Sequence, residues 1–282
     1  MGIFDYFRPV STWPPEKVRK FLLEHKGQEY QLLDVRQPKE YLRGHLPGAL
    51  LVPLDRLREE MEKLDPAKPT ITYCGIGVRS RAAAATLKNA GFTNVHSMAG
   101  GINAWEGHSA EGEPDLGAAY FSPGHTLGEF IGLAWLIEKG TRSFYLAMAN
   151  RFRGTEEESF FRQMAGVEER HQAFLESLFE KMSGQSIAGH FPQSLLPSLP
   201  EEPVLEGGIR LAEALQWAGN RELKDIVQLA IGFETNACDR YLLMAKEQKN
   251  PDVRELFQAL AEEEKAHLIH LTGYLNRLEN RA

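Results

Sequence analysis

Short apolar runs alternate with helical patterns over the first part of the chain, up to about residue 108. Amphipathic or Ala-rich helices are predicted at about 14–22 and 80–90. The runs themselves predict short strands, at residues 30–35, 49–52, 70–73 and 95–97. Strands that alternate with helices indicate a parallel sheet with both faces covered. The first part of the chain is therefore predicted to be an α/β domain.

The second part of the chain has the apolar period of long helices. Four are predicted, at about 126–152, 155–182, 222–249 and 251–279. Thr155 and Glu158 are expected to form a capping box at the second helix, and Asn250 to cap the fourth ahead of Pro251. The Pro- and Ser-rich stretch 183–206 predicts a long crossover, followed by a short helix at 209–218. Two hairpins joined in this way indicate a ferritin-like four-helix bundle.

Glycine and proline residues without apolar periodicity occupy the junction between these two patterns. We therefore predict an α/β domain at 1–108, a linker at 109–124 and an all-α bundle at 125–282. The linker is short, so the two domains are expected to lie close together.

Composition narrows the class of protein. The 282 residues are 43% hydrophobic and 25% charged, as in soluble two-domain proteins. A net charge of −7 gives no electrostatic reason to bind nucleic acid or an anionic membrane, and no apolar run approaches the roughly 18 residues of a spanning helix. Residues 1–10 lack the pattern of a signal peptide. Cys74 and Cys238 are too far apart to indicate a disulfide framework, so a reducing cytoplasm is expected.

An internal repeat lies within the helical part. The segment Glu168-Glu169-Arg170-His171 recurs as Glu264-Lys265-Ala266-His267. The same spacing relates Glu138 to Glu234, so each copy has one glutamate followed by a Glu-x-x-His. Residues three apart on a helix share a face, and these lie on the apolar stripe.

Four helices facing inward would bring four carboxylates and two imidazoles together, which is the ligand set of a dinuclear carboxylate bundle. Four buried carboxylates require cations or protons. The ligand types suit iron or manganese, and zinc can also bind them. The alternative is a duplicated hairpin that keeps these residues as a buried polar network without metal.

A second candidate site follows the predicted strand at 70–73. Ligands of parallel sheets bind at the carboxyl ends of strands, and Cys74 stands there ahead of a helix. The helix N-terminus and Arg79 are expected to lower the pKa of Cys74 toward the thiolate. The loop can direct its backbone N–H groups at an anion, through Gly75, Ile76, Gly77 and Val78. Cys74 is therefore predicted to be a nucleophile, whereas His45 is expected to be structural.

Residues of about 10–108 resemble a rhodanese domain. The matching stretches, in order, are 34–36, Glu40 with 44–49, the Cys74 loop and 100–105. The resemblance implies a Cys74 persulfide that takes sulfur from a sulfane-sulfur donor and passes it to a thiophilic acceptor. It also implies that Arg79 is catalytic and that Asp34 and Arg36 help to hold the loop. Gly75 stands where thiosulfate-using members often have Arg, so the donor stays open among thiosulfate, a polysulfide and a protein persulfide.

Residues of about 125–280 resemble the rubrerythrin branch of the ferritin-like families. The resemblance implies six iron ligands, namely Glu138, Glu168, His171, Glu234, Glu264 and His267. Rubrerythrins have a further glutamate three residues after the third-helix ligand, where this chain has Ala237. A Cys-rich electron-delivery module is not recognised in the sequence, so reaction with peroxide, oxygen or a sulfur species stays open.

The leading hypothesis couples sulfane-sulfur transfer through Cys74 to a di-iron redox site. In the alternatives, the first domain is the only catalyst and the bundle is a structural or dimerising module, or the first domain is a sensor that governs an iron-binding bundle. The expected partners are a small sulfur donor, a thiophilic acceptor and a second copy of the chain in a homodimer.

Overall fold

The computed structural model describes most of the chain, at residues 10–111, 125–184, 186–187, 191–196 and 202–280. Most of the predicted linker, 112–124, lies outside these residues, as do parts of the predicted crossover and residues 1–9. The contacts between residues divide the chain into two compact units. Unit 1 combines Met1–Pro114 with Thr235–Ile269, and unit 2 combines Asp115–Glu234 with His270–Ala282.

A parallel sheet of five strands, in the order β1-β5-β4-β2-β3, is the centre of unit 1 among the described residues. Its strands are β1 Ser11–Trp13, β2 Gln31–Asp34, β3 Leu50–Leu51, β4 Thr70–Tyr73 and β5 Val95–Met98. The four predicted strands are confirmed. The sequence did not predict β1, which pairs with β5 through Thr12 opposite Ser97. Three partly exposed residues at the edge of a sheet are too few to show an apolar period.

Helices cover both faces of this sheet, as predicted. Those of the N-terminal part are α1 Pro15–Glu24, α2 Pro38–Tyr41, α3 Leu57–Glu60 and α4 Val78–Asn89. Neighbouring residues of β2 point in opposite directions: Leu32 packs with Val18 of α1, whereas Leu33 packs with Ala83 of α4. A strand buried on both faces is typical of parallel sheets. The N-terminal part is therefore an α/β domain built on a parallel sheet, as predicted.

The segment 235–269 packs in unit 1 against the turn 44–49. Asp239 accepts the N–H of Gly48 at 2.7 Å with Oδ1, and its Oδ2 lies 3.2 Å from Nε2 of His45. Lys246 donates to the carbonyl of Gly48 at 2.5 Å. Gly48 has φ +74°, and a Cβ there would lie 2.9 Å from Leu242, so this contact requires glycine. The buried His45 ring is a structural part of this contact, in agreement with the prediction.

The rest of the described chain contains five α-helices, namely α5 Leu127–Arg151, α6 Glu156–Ser183, α7 Leu211–Ala218, α8 Leu223–Glu247 and α9 Pro251–Glu279. The four long helices and the short one match the prediction, and this region agrees with a ferritin-like bundle. Within unit 2, α5 packs along α6, and Tyr145 and Phe161 stack with ring centres 6.4 Å apart.

The predicted capping box at α6 does not form. The hydroxyl of Thr155 donates backward to the carbonyl of Phe152 at 2.8 Å, so it is turned away from the helix. The carboxylate of Glu158 accepts the N–H of Gly154 at 2.8 Å instead of the N–H of Thr155. The tight turn at Gly154, with φ +84°, brings that earlier N–H into reach.

Two other helix starts have side-chain caps. Thr126 and Glu129 form a reciprocal capping box at α5, with bonds of 2.6 and 3.3 Å, which the sequence analysis did not identify. The predicted cap at α9 is confirmed, because Asn250 accepts the N–H of Asp252 at 2.9 Å. In the part of the chain that the structure describes, no helix has both the length and the apolar character needed to cross a bilayer.

Candidate active site and metal centre

Cys74 lies at the carboxyl end of β4, as the sequence predicts. Its Sγ accepts the N–H of Gly77 at 3.1 Å. Burial acts to raise the pKa of Cys74, but hydrogen bonds from Ser80, Gly77 and Ile76 to the sulfur outweigh it and the pKa is lowered. The thiolate is the reactive form of cysteine, so this loop favours a nucleophile.

A second backbone turn supports the Cys74 loop from behind. Ile102 donates its N–H to the carbonyl of Cys74 at 2.7 Å. Gly101 has φ +61°, and a Cβ at this position would lie 2.1 Å from the same carbonyl oxygen. Only glycine allows so close an approach of two backbone segments. The loop itself enters α4 through Gly77, which has φ +93°.

Arg79 is held by Glu40. Its two terminal nitrogens donate to the two oxygens of Glu40 at 2.8 and 2.7 Å, a bidentate pair. Hydrogen bonds from Arg79 lower the pKa of Glu40 to about 2, and the same bonds raise the pKa of Arg79. Glu40 also accepts the N–H of Gln37 at the start of α2. Glu40 belongs to one of the stretches that resemble a rhodanese domain, but the sequence did not predict a role for it.

Asp34 and Arg36 make their bonds elsewhere than expected. Arg36 donates to both oxygens of Asp34 at 2.6–3.0 Å and to the carbonyl of Gly44 at 2.6 Å. These bonds hold the turn that contains His45, whereas the prediction placed the pair at the Cys74 loop. The guanidinium of Arg36 folds back onto Asp34, two residues earlier, and also lies 5.7 Å from the ring centre of Tyr73, the residue before Cys74.

The remaining loop residues contribute through their backbone. The side chains of Ile76 and Val78 are 66% and 67% exposed, so they project away from the sulfur. Their exposure leaves an apolar border around Cys74. A Cβ at Gly75 would lie 3.6 Å from the guanidinium of Arg79, an ordinary van der Waals contact, so the space beside Arg79 does not by itself require glycine. The predicted loop Gly75, Ile76, Gly77 and Val78 thus surrounds Cys74 as one turn.

In unit 2, α5 and α6 bring together three of the predicted metal ligands. Nδ1 of His171 lies 3.2 Å from Oε2 of Glu138 and 3.6 Å from Oε2 of Glu168. All three side chains are buried. Oε1 of Glu138 is buried and has no hydrogen-bond partner among the described residues. A buried carboxylate oxygen left in this state is costly, and a bound cation would compensate for it.

Glu234 extends this group. It accepts a hydrogen bond of 2.5 Å from the hydroxyl of Tyr145. Burial, followed by the charges of Glu234 and Glu168, raises the pKa of Tyr145 well above its usual range, so the phenol stays a donor. Glu168, Glu206 and Glu234 each offer one oxygen, and these oxygens lie within 4.8 Å of one another. Glu206 was missed by the sequence analysis because the Pro-rich crossover around it has no apolar period.

In unit 1, α9 holds the second Glu-x-x-His. Nδ1 of His267 lies 3.6 Å from Oε2 of Glu264, and both side chains are buried. This distance is the same as that between His171 and Glu168 in the first copy. The repeat in the sequence is therefore a repeat in local geometry.

Carboxylate and imidazole groups in buried surroundings fit a bound transition metal. Hard oxygen donors with borderline nitrogen donors suit iron and manganese, and zinc also accepts them. The unpartnered oxygen of Glu138 and the close oxygens of Glu168, Glu206 and Glu234 are the features that a cation would satisfy.

Comparison with known proteins identifies both parts of the chain. The family model described as Rhodanese-like domain matches residues 17–108, and the model described as Rubrerythrin matches 129–196 and 225–281. The chain therefore belongs to the rhodanese-like proteins through its N-terminal part and continues as a rubrerythrin domain. The fusion that the sequence predicts is confirmed.

Individual relatives match the N-terminal part. The uncharacterized protein YqhL of Bacillus subtilis is 40% identical over 96 residues, which cover 33% of this chain and 76% of that protein. The thiosulfate sulfurtransferase GlpE of Coxiella burnetii is 35% identical over 83 residues, 29% of this chain and 78% of that protein. The probable adenylyltransferase/sulfurtransferase MoeZ of Mycobacterium tuberculosis is 36% identical over 108 residues, 38% of this chain but only 26% of that protein.

Proposed function

We propose that this chain is a sulfurtransferase in which Cys74 carries sulfane sulfur as a persulfide. The observation that carries the proposal is the buried sulfur of Cys74, whose pKa is lowered by hydrogen bonds from its own loop. The similarity to a protein named thiosulfate sulfurtransferase supports the same chemistry.

The reaction has two transfers. The Cys74 thiolate attacks the outer sulfur of a donor such as thiosulfate, an S–S bond forms on Cys74, and the S–S bond of the donor breaks with sulfite as leaving group. An acceptor nucleophile then attacks the outer sulfur of the persulfide, and the Cys74 thiolate leaves with the electron pair of the broken bond. No net oxidant or reductant is consumed.

The loop stabilises charge at both transfers. The persulfide has an anionic outer sulfur, and the N–H groups that now face Sγ are available to it. Arg79 adds positive charge at the loop, and Glu40 keeps its guanidinium in one orientation. The net charge of this pair is near zero, so we propose that small dianions are not strongly concentrated there. A polysulfide or a protein persulfide therefore competes with thiosulfate as donor.

The test is turnover of thiosulfate, and separately of a polysulfide, with cyanide as acceptor. Cys74→Ser is expected to abolish thiocyanate formation from both donors, whereas Cys238→Ala, the matched control, leaves it unchanged. Mass spectrometry after donor alone is expected to show one added sulfur atom on the wild type. Turnover retained in Cys74→Ser would remove Cys74 from the reaction.

We also propose that the rubrerythrin domain holds a di-iron centre. Its ligands would be the six residues of the repeat, Glu138, Glu168, His171, Glu234, Glu264 and His267. The family match and the buried geometry of each copy support this proposal. An iron pair bound there would supply redox chemistry toward peroxide, oxygen or a sulfur species. Tyr145 orients the Glu234 carboxylate, and the surrounding apolar side chains exclude water from the ligands.

Metal content of tag-free protein, measured by elemental analysis, tests this part directly. About two iron atoms per chain are expected in the wild type. Glu168→Ala with His171→Ala is expected to lose them, and the exposed neighbour Glu169→Ala is expected to keep them. Helical content by circular dichroism shows whether each variant is folded. A folded wild type that binds no iron, manganese or zinc would contradict the metal centre while leaving the sulfurtransferase intact.

A structural role for the helical segment 235–269 is a second candidate, because this segment packs on the turn 44–49 through Asp239 and Lys246. In that case the rhodanese domain is the only catalyst. Metal-depleted protein would then transfer sulfur at the rate of metal-loaded protein, whereas chemical coupling of the two sites predicts a difference that depends on the metal.

A further inference from the structure

We propose that Glu206 is a seventh ligand of the metal centre, supplied by the segment that connects α6 to α7 and not by a long helix. This inference rests on the proposed di-iron centre. Glu206 lies outside the repeat, because the 96-residue spacing that relates the other ligands to one another does not relate Glu206 to any of them.

The carboxylate of Glu206 is placed beside two repeat ligands. The side chain is fully buried at the start of the 3₁₀ turn Glu206–Gly208. It offers an oxygen within 4.8 Å of oxygens from Glu168 and Glu234. Three carboxylates at this separation repel one another strongly in a buried setting, unless a cation or protons lie between them.

The backbone around Glu206 is fixed to α5 by two contacts. The N–H of Glu206 donates to the hydroxyl of Thr141 at 3.1 Å, and Thr141 is fully buried. One residue earlier on α5, Gly140 leaves space for the segment: a Cβ there would lie 2.0 Å from the carbonyl oxygen of Val204. Both contacts lie within one turn of Glu138, so α5 positions the segment beside its own ligand.

The segment is also closed on itself. Leu205 donates its N–H to the carbonyl of Ile209 at 2.8 Å, and Leu211 donates to the carbonyl of Pro203 at 2.9 Å. These bonds form a short loop with Glu206 at its tip, and Leu205 is buried beside it. A fixed loop with a buried carboxylate at its tip is the arrangement expected of a ligand, because free surface loops keep their carboxylates in water.

The group that Glu206 would bind is a hard divalent or trivalent ion. The carboxylate of Glu206 adds a third anionic oxygen donor next to those of Glu168 and Glu234. Beside Glu138, in contrast, the neighbouring donor is the imidazole nitrogen of His171. An added anionic ligand favours iron or manganese in their higher-charged states over a lower-charged ion. We therefore expect Glu206 to govern the affinity for one ion of the pair.

The experiment compares Glu206→Gln and Glu206→Asp with Glu202→Gln, the exposed glutamate of the same segment, in the full-length chain. Metal-depleted protein is titrated with Co²⁺ in the absence of oxygen, and its visible absorption reports the coordination of each ion. Glu206→Gln is expected to weaken binding of one ion by tenfold or more and to change its spectrum. Glu206→Asp, which withdraws the oxygen by about 1.5 Å, is expected to have an intermediate effect.

A further variant tests the positioning. Gly140→Ala keeps the Glu206 carboxylate but displaces the segment from α5, so it is expected to weaken Co²⁺ binding as Glu206→Gln does. Unchanged affinity and spectrum in both Glu206 variants would overturn the inference while leaving the di-iron centre standing. A wild type that binds no Co²⁺ would overturn both. Circular dichroism of each variant shows that the fold is retained, and Glu206→Asp decides the question if Glu206→Gln does not fold.

Discussion

Oδ2 of Asp239 lies 3.2 Å from Nε2 of His45, and both side chains are buried. The other ring nitrogen of His45 lies 2.9 Å from the carbonyl oxygen of Tyr41. The residues are far apart in sequence, one in a turn of the rhodanese domain and the other on α8. A helix of the rubrerythrin domain therefore takes part in holding the same turn that Arg36 holds through Gly44.

Asp239→Asn is expected to destabilise the fold by about 2 kcal/mol, because a neutral amide replaces the buried carboxylate that accepts the N–H of Gly48 and lies beside the His45 ring. The measurement is the free energy of unfolding in urea, followed by circular dichroism. The matched control is Glu247→Gln, an exposed carboxylate on the same helix, which is expected to change stability by no more than about 0.5 kcal/mol. Equal stability of Asp239→Asn and wild type would show that this contact is not part of what holds the turn.

Gly101→Ala is expected to remove sulfur transfer. The new Cβ would lie 2.1 Å from the carbonyl oxygen of Cys74, so the loop must move. Gly91→Ala is the matched control: Gly91 also has a positive φ, +98°, but nothing lies within 4 Å of its added Cβ. That variant is expected to lose about 1 kcal/mol of stability from backbone strain and to keep its activity. Thiocyanate formation measured on both variants checks the difference, and similar activity in the two would argue against a fixed loop.

Spacing along the chain was enough to predict residues that act within one element or one turn. Cys74 was placed correctly because a strand, a Gly-containing loop and a helix follow one another without a break. Nδ1 of His171 lies 3.6 Å from Oε2 of Glu168 because residues three apart share a helix face. The same reasoning gave the bounds of the four long helices to within about two residues.

Residues that act across the chain could not be predicted in this way. Glu40 reaches Arg79 from a different helix, and Asp239 reaches His45 from a different domain. Glu206 lies in a segment with no period at all. In each case the packing of distant elements determines the partner, and a single sequence does not give that packing. The capping box predicted at Thr155 was wrong, which shows that even a local motif depends on the turn before it.

Glu40→Gln is expected to destabilise the fold by about 1 kcal/mol or less at pH 7, because both partners of the Arg79 pair are partly exposed and screened by water. The carboxylate has a pKa of about 2 instead of 4.5, so its contribution is fully present above pH 4.5. As the pH falls from 4.5 toward 2, Glu40 becomes protonated in the folded protein and the contribution is lost.

Urea unfolding of wild type and Glu40→Gln from pH 7 to pH 3 measures this contribution. The difference in free energy is expected to be constant above pH 5 and to shrink below pH 4.5. The control is Glu59→Gln, which replaces an exposed glutamate of α3. Its effect on the free energy of unfolding is expected to change with pH no more than that of any solvated glutamate. A difference that grows as the pH falls would have the wrong sign and would contradict the assigned pairing.

Ser80→Ala is expected to slow the alkylation of Cys74 by iodoacetamide at neutral pH. Against the effect of burial, the backbone N–H of Ser80 is the largest of the hydrogen bonds that lower the pKa of Cys74 below its ordinary value of 9.0, and the Ser80 hydroxyl is the next. Ser80→Ala keeps the first and removes the second, so part of the lowering of the pKa is expected to be lost. The midpoint of the rate against pH is therefore expected below pH 9 in the wild type and at a higher pH in Ser80→Ala. Cys74→Ser gives the background from the buried Cys238.

The hydroxyl of Ser80 also bonds Ser97 at 2.9 Å, so Ser97→Ala separates loss of that bond from loss of the bond to sulfur. If Ser97→Ala moves the midpoint as far as Ser80→Ala does, the shift comes from packing around α4 and not from a donor to the thiolate.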